Sequence, residues 1–191
     1  MKLFVVLPLL VIIVTCCSPK KEVAAQTNRS SGKPMKASAL LVLDSAMGDL
    51  NMDRITDKIM IYKSPNEVSE GESKRPLEIF LGKADGTFEL VERNDNVVLC
   101  YACGGVFGDP YEDVIIENGS FTVSHYGGSN WRWSRAITFS FVREFKTWLL
   151  TDDSGISYNV TQEEKTNETL IHNPEDFGMI KFKDFDNEKG M

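Results

Sequence analysis

Between residues 48 and 57 the chain reads Gly-Asp-Leu-Asn-Met-Asp-Arg-Ile-Thr-Asp, which places oxygen-bearing side chains at Asp49, Asn51, Asp53 and Asp57. A tight loop turns alternate side chains toward one side, so these oxygens can converge on a hard cation. Calcium takes about six to eight oxygens at roughly 2.3–2.6 Å. The backbone carbonyl of Ile55 or Arg54 supplies a further ligand, and the expected calcium set is Asp49, Asn51, Asp53, Ile55 and Asp57. Alternation leaves Leu50 and Met52 on the other side, where they can pack on the domain. A metal-free use of the same residues stands beside this one, because Asn and Asp side chains in turns also accept hydrogen bonds from nearby backbone N–H groups.

Three other groups of residues carry chemical potential. Cys100 and Cys103 are close enough for a small-ring disulfide if the chain turns between them, with buried free thiols as the alternative. Gly104-Gly105 and Gly108-Asp109-Pro110 exclude the helix that a thioredoxin-like dithiol needs, so redox catalysis is not expected. Tyr126, Asn130, Trp131, Arg132 and Trp133 form an aromatic segment with hydrogen-bonding groups. On a strand, Trp131 and Trp133 face one side and Arg132 the other. Exposed, the segment would be a stacking platform for sugar rings; buried, it would be core. Finally, the carboxylates of Asp109, Glu112, Asp113 and Glu117, with His125 nearby, are residue types that glycan hydrolysis uses. Ser124 and His125 are adjacent on a strand and therefore face opposite sides, which argues against a serine nucleophile activated by that histidine.

The elements that must position these groups read as strands. Short runs rich in β-branched and aromatic residues lie at 39–44, 58–63, 77–81, 87–92, 97–101, 113–117, 120–125, 136–142, 147–151, 156–160 and 178–182, separated by Gly, Asn and Asp turn signals. Asn118-Gly119 marks the clearest hairpin, because a type I′ turn needs φ > 0 at both central residues. No segment shows a sustained 3.6-residue apolar period. The expected fold is all-β and mostly antiparallel, a single domain over 37–191, with sandwich or barrel closure open.

Ahead of that domain, Lys2 precedes an almost wholly apolar run from 3 to 14 that ends at Cys16-Cys17. The run is shorter than the ~20 residues a membrane-crossing helix needs and reads as an export signal. Residues 18–36 are polar, basic and Ser/Gly/Pro-containing, as a flexible tether is. The chain carries a formal net charge of −7, and no basic patch suits a nucleic acid. An acidic surface is compatible with divalent cations or neutral glycans.

Val14-Thr15-Cys16-Cys17 resembles the lipobox of bacterial lipoproteins. That resemblance implies a signal peptide over 1–16, a lipidated Cys17, a tether over 17–36 and anchorage to a membrane of the cell envelope. The loop at 49–57, the strand at 57–61 and the segment Leu77-Glu-Ile-Phe-Leu-Gly-Lys-Ala-Asp-Gly-Thr-Phe88 resemble the FG-GAP and VCBS repeats of integrin-type propellers. Over 48–88 this implies a blade-like unit and a structural calcium ion. Arg54 stands where those loops usually carry glycine, at a position whose backbone is left-handed. With the blocks at 100–111 and 125–133, the chain resembles uncharacterised envelope lipoproteins of Bacteroidetes-type bacteria. The expected function is a lipid-anchored binding or interaction module with a structural calcium site that contacts a glycan or an envelope protein. The alternative is a small envelope hydrolase acting on glycans through carboxylates near 108–117.

Overall fold

Alternating apolar and polar residues build two antiparallel sheets whose apolar faces meet. In the computed structural model, which describes residues 39–161, 168–172, 175 and 178–187, the first sheet runs β1 (Leu41–Gly48), β2 (Asp57–Lys63), β3 (Arg75–Gly82) and β4 (Phe88–Val98) in that spatial order. The second runs β5 (Tyr111–Glu117), β6 (Ser120–Gly128), β7 (Trp131–Val142), β8 (Thr147–Asn159) and β9 (Glu168–His172). Both are meanders, each strand pairing with the next. The expected signal peptide over 1–16, lipidated Cys17 and tether over 17–36 lie outside the described residues.

The period-2 pattern decides which face is buried. In β2, Asp57, Ile59 and Ile61 point inward, and in β6 Phe121, Val123, His125 and Gly127 do so. Leu77, Ile79, Val97, Ile137, Phe139, Trp148 and Leu150 join them in one apolar core shared by both sheets. Strand β1 lies beside β5 along one edge of the sandwich, and a 3-10 turn at Phe182–Asp184 sits against β4 and β8. Phe182 and Phe185 from that segment meet Phe139 edge-on, with ring centroids 5.4 and 5.3 Å away. Aromatic edge-to-face contacts of this kind close the core where no strand reaches.

The all-β, antiparallel reading holds, and the closure is a sandwich of two sheets. The Asn118-Gly119 hairpin has φ of 48° and 80°, as a type I′ turn requires. Strand boundaries differ in specific places. The runs expected at 87–92 and 97–101 fuse into β4, and those at 147–151 and 156–160 fuse into β8. Strand β7 begins at Trp131 instead of 136. Segment 178–182 forms no strand; Lys181 makes a single bridge to Leu149 before the 3-10 turn. β9 and a one-turn helix α1 (Glu67–Glu70) were not anticipated.

Candidate functional site

The loop joining β1 to β2 is pinned at its centre. Leu50 is fully buried, its N–H donates to Asp57 Oδ2 at 2.7 Å, and its carbonyl accepts from the Trp148 indole at 3.0 Å. Asp57 is also fully buried, and its Oδ1 accepts from the Gly82 N–H at 2.9 Å. That carboxylate therefore ties the loop to the end of β3. Burial pushes its pKa up against these two backbone bonds, and the neighbouring Asp53 and Asp49 charges push the same way. Met52 behaves differently from Leu50. It is exposed and lies over Gly119, where a methyl group would meet its side chain at 2.8 Å.

Around this anchor the loop satisfies its own backbone. Asp49 accepts from the N–H groups of Asp53 (3.1 Å) and Arg54 (2.8 Å), Asn51 accepts from Asp53 (2.9 Å), and Asp53 accepts from Ile55 (2.7 Å) and from the Asn51 amide (2.9 Å). Each oxygen so engaged accepts one donor and keeps a second lone pair. Arg54 adopts φ 71°, the left-handed conformation expected at its position. Its guanidinium pairs with none of the loop carboxylates, and among the described residues no other cation makes an ion pair with them. Asp49, Asn51 and Asp53 lie towards the surface with Asp57 beneath them, and among the described residues no three His, Cys, Asp or Glu side chains are gathered as a bound cation would gather them.

Arg54 carries a testable cost. A side chain at φ > 0 is strained by roughly 1–2 kcal/mol, while glycine gives back part of that through its freer unfolded state. Arg54→Gly is expected to stabilise the protein by about 0.5–1 kcal/mol. Urea unfolding without metal reads this directly, and a destabilised variant would show that the Arg54 side chain makes a contact the loop needs.

The second expected site divides between two faces. Trp133 pairs with Gly127 and Trp131 with Asn159, on the inward side of the second sheet, whereas Arg132 pairs with Gly128 and Tyr158 on the outward side, where Tyr126 also lies. The alternation expected for 131–133 holds, but Tyr126 and the tryptophans share no face. Trp133 covers Gly127, where an added methyl group would meet its ring at 2.6 Å. Trp131 remains 42% exposed at the hairpin tip, and Asn130 is exposed beside it.

Outward, two residues that the sequence reading did not single out complete a cluster. Phe107 packs edge-on against Tyr126 with centroids 5.8 Å apart, the Arg132 guanidinium lies 3.8 Å over the Phe107 ring, and the hydroxyls of Tyr126 and Tyr158 are 3.4 Å apart. The Tyr158 bond, then Arg132, hold the Tyr126 phenol below its ordinary range. Phe107 comes from the loop after the disulfide that joins Cys100 and Cys103. Gly105, at φ 69°, bridges to Gly128, which carries this loop over the edge of β6. A shallow groove continues along the same face between Glu112, Tyr126, Ser134, Ala136 and Ile156. The sequence signal for Tyr158 was its two-residue offset from Ile156 on the β8 run; for Phe107 there was none.

The carboxylates of the hydrolase alternative have different surroundings. Asp109 receives two hydrogen bonds from Arg75, at 2.6 and 2.7 Å. Burial alone would raise its pKa, but those bonds and the Tyr111 N–H hold it lower. His125 is buried, and its Nε2 accepts from the Leu99 N–H at 3.2 Å. Ser124 faces outward, on the side opposite His125. Glu112 and Glu117 are exposed, and Asp113 is half-buried. No family model, curated protein or solved structure was found to match the chain.

Proposed function

We propose that this chain is a lipid-anchored binding module of a bacterial envelope, held to the membrane through Cys17 and stiffened by a calcium ion on the 49–57 loop. The observation that carries the binding role is the outward cluster of Phe107, Tyr126, Arg132 and Tyr158. Aromatic faces and a guanidinium sit together on an exposed sheet beside a trough of small residues. Aromatic side chains set beside a few hydrogen-bonding groups recognise sugar rings and extended chains without chemistry. The hydrolase alternative has no comparable support, since Asp109 is engaged by Arg75 and His125 is enclosed. In the calcium role, Asp49, Asn51 and Asp53 would hold the ion with the Ile55 carbonyl, and Asp57 would fix the loop beneath it.

One experiment separates the parts. The full chain is melted in EDTA and across a calcium titration, then applied with calcium to an array of neutral envelope glycans, beside Asp49→Ala/Asp53→Ala and Tyr126→Ala/Tyr158→Ala. Binding to the native state stabilises by about 2.7 kcal/mol at a hundredfold excess over Kd. A calcium-dependent rise that the Asp49→Ala/Asp53→Ala variant lacks is expected. Glycan retention that only Tyr126→Ala/Tyr158→Ala abolishes is expected as well. No rise up to millimolar calcium would sink the calcium role, and retention indifferent to the tyrosines would sink the platform.

A further inference from the structure

At the end of the sandwich where Trp148 supports the 49–57 loop, the two sheets leave a groove of about 590 Å³. One wall is Asn51 and Asp53, another is Val91 and Glu92 of β4, and the third is the β7–β8 hairpin with Phe141, Arg143 and Lys146. A volume of this size lies within the range of small-ligand sites. The hairpin is held to β4 by a hydrogen bond from the Thr147 hydroxyl to Glu92 Oε1, and Lys146 turns at φ 50°. The lining is mixed, and its polar members are unevenly satisfied.

Arg143 and Lys146 make no hydrogen bond or ion pair among the described residues, although the chain as a whole is acidic. Glu92 Oε2 is sheltered from solvent and has no donor. Arg143 and Lys146, both exposed, call for an anion, while the nearby Glu92 carboxylate disfavours a doubly charged group such as a phosphate monoester. Val91 and Met52, both exposed, and the half-buried Phe141 offer apolar contact to the face of a ring.

We propose that this groove binds an acidic saccharide, with the single negative charge of a carboxylate or sulfate ester on Arg143 and Lys146 and the face of a sugar ring on Val91, Met52 and Phe141. It lies on different residues from the Tyr126 and Tyr158 cluster and does not depend on it. The test is equilibrium binding of the full chain, in calcium buffer, to oligogalacturonate, to a sulfated galactan oligosaccharide and to a neutral galactan oligosaccharide. At least one acidic oligomer should bind about tenfold or more tightly than the neutral one, and added salt should weaken it. Arg143→Gln/Lys146→Gln, which removes no hydrogen bond or ion pair among the described residues, should lose roughly tenfold or more. Tyr126→Ala/Tyr158→Ala should leave this binding intact, which separates the groove from the platform. Failure of both acidic oligomers to bind at millimolar concentration, neutral binding of equal strength, or an unaffected Arg143→Gln/Lys146→Gln variant would overturn the proposal.

Discussion

Arg75→Met is expected to cost about 3–5 kcal/mol of folding stability, because it leaves the buried Glu67 carboxylate with one longer ion pair in place of two. Arg75 is fully enclosed at the start of β3. Its Nε donates to Glu67 at 3.0 Å, its two terminal nitrogens to Asp109, and Nη1 also reaches the Leu99 carbonyl at 3.3 Å. Removing it strands the Glu67 carboxylate, whose side chain is 5% exposed and which keeps only Lys63 at 3.5 Å. Asp109, a third exposed, can partly recover water. Glu67→Gln should therefore restore a good part of the loss in the Arg75→Met background, and Asp109→Asn less. Denaturant unfolding of the three variants decides this, and a loss under about 1 kcal/mol for Arg75→Met would show the pair to be no better than a surface contact. The consequence reaches the outward cluster as well. Asp109 anchors the loop that delivers Phe107, so Arg75→Met should weaken platform binding even where the protein stays folded.

How much of this was readable before the fold follows from the range over which each signal acts. Asn118-Gly119 and the alternation in 120–125 are local, since φ > 0 and the two-residue period need no distant partner, and both appear as read. Strand β4 was split because Arg93-Asn94-Asp95-Asn96 has the composition of a turn, yet Asn94 is buried and its amide caps the carbonyls of Phe182 and Phe185. Strand β8 was split at Asp152-Asp153-Ser154-Gly155 for the same reason. There Asp153 is paired with Arg135 at 2.6 Å, and Gly155 lies so close to the Ser134 carbonyl that a methyl group would sit 2.5 Å from it. In both strands a buried polar residue that marks a turn locally, Asn94 or Asp153, is satisfied inside the sandwich by residues far along the chain. The candidate site divides the same way. The loop at 49–57 closes on itself and was legible down to the left-handed Arg54. The joining of Arg75 to Asp109, and of Phe107 to Arg132, is set by tertiary packing that spacing does not encode.

Acid should weaken this protein through His125. Burial, then the Arg135 and Arg75 charges, lower its pKa to about 4, with Asp109 and Asp153 opposing. An unfolded histidine titrates near 6.5. Between those values the unfolded chain takes up a proton that the native state refuses, so the stability this group confers is complete above about pH 6.5 and is lost as pH falls toward 4. The difference corresponds to roughly 3 kcal/mol. Asp57 and Glu92 act with the opposite sign, because their folded carboxyls are raised and their contribution is lost as pH rises through the acid range. The net slope therefore understates the histidine, and only a comparison isolates it. His125→Gln offers an amide oxygen in place of Nε2 for the Leu99 N–H and has nothing to protonate. Its stability should be below the parent's at pH 7, where the Tyr111 ring loses its edge-on partner 6.4 Å away, and the gap should close or reverse by pH 4.5. Unfolding curves for both proteins at half-unit pH intervals test this. Parallel pH profiles would mean that the native state admits the proton, which would place His125 within reach of solvent and return it to consideration as an acid–base group.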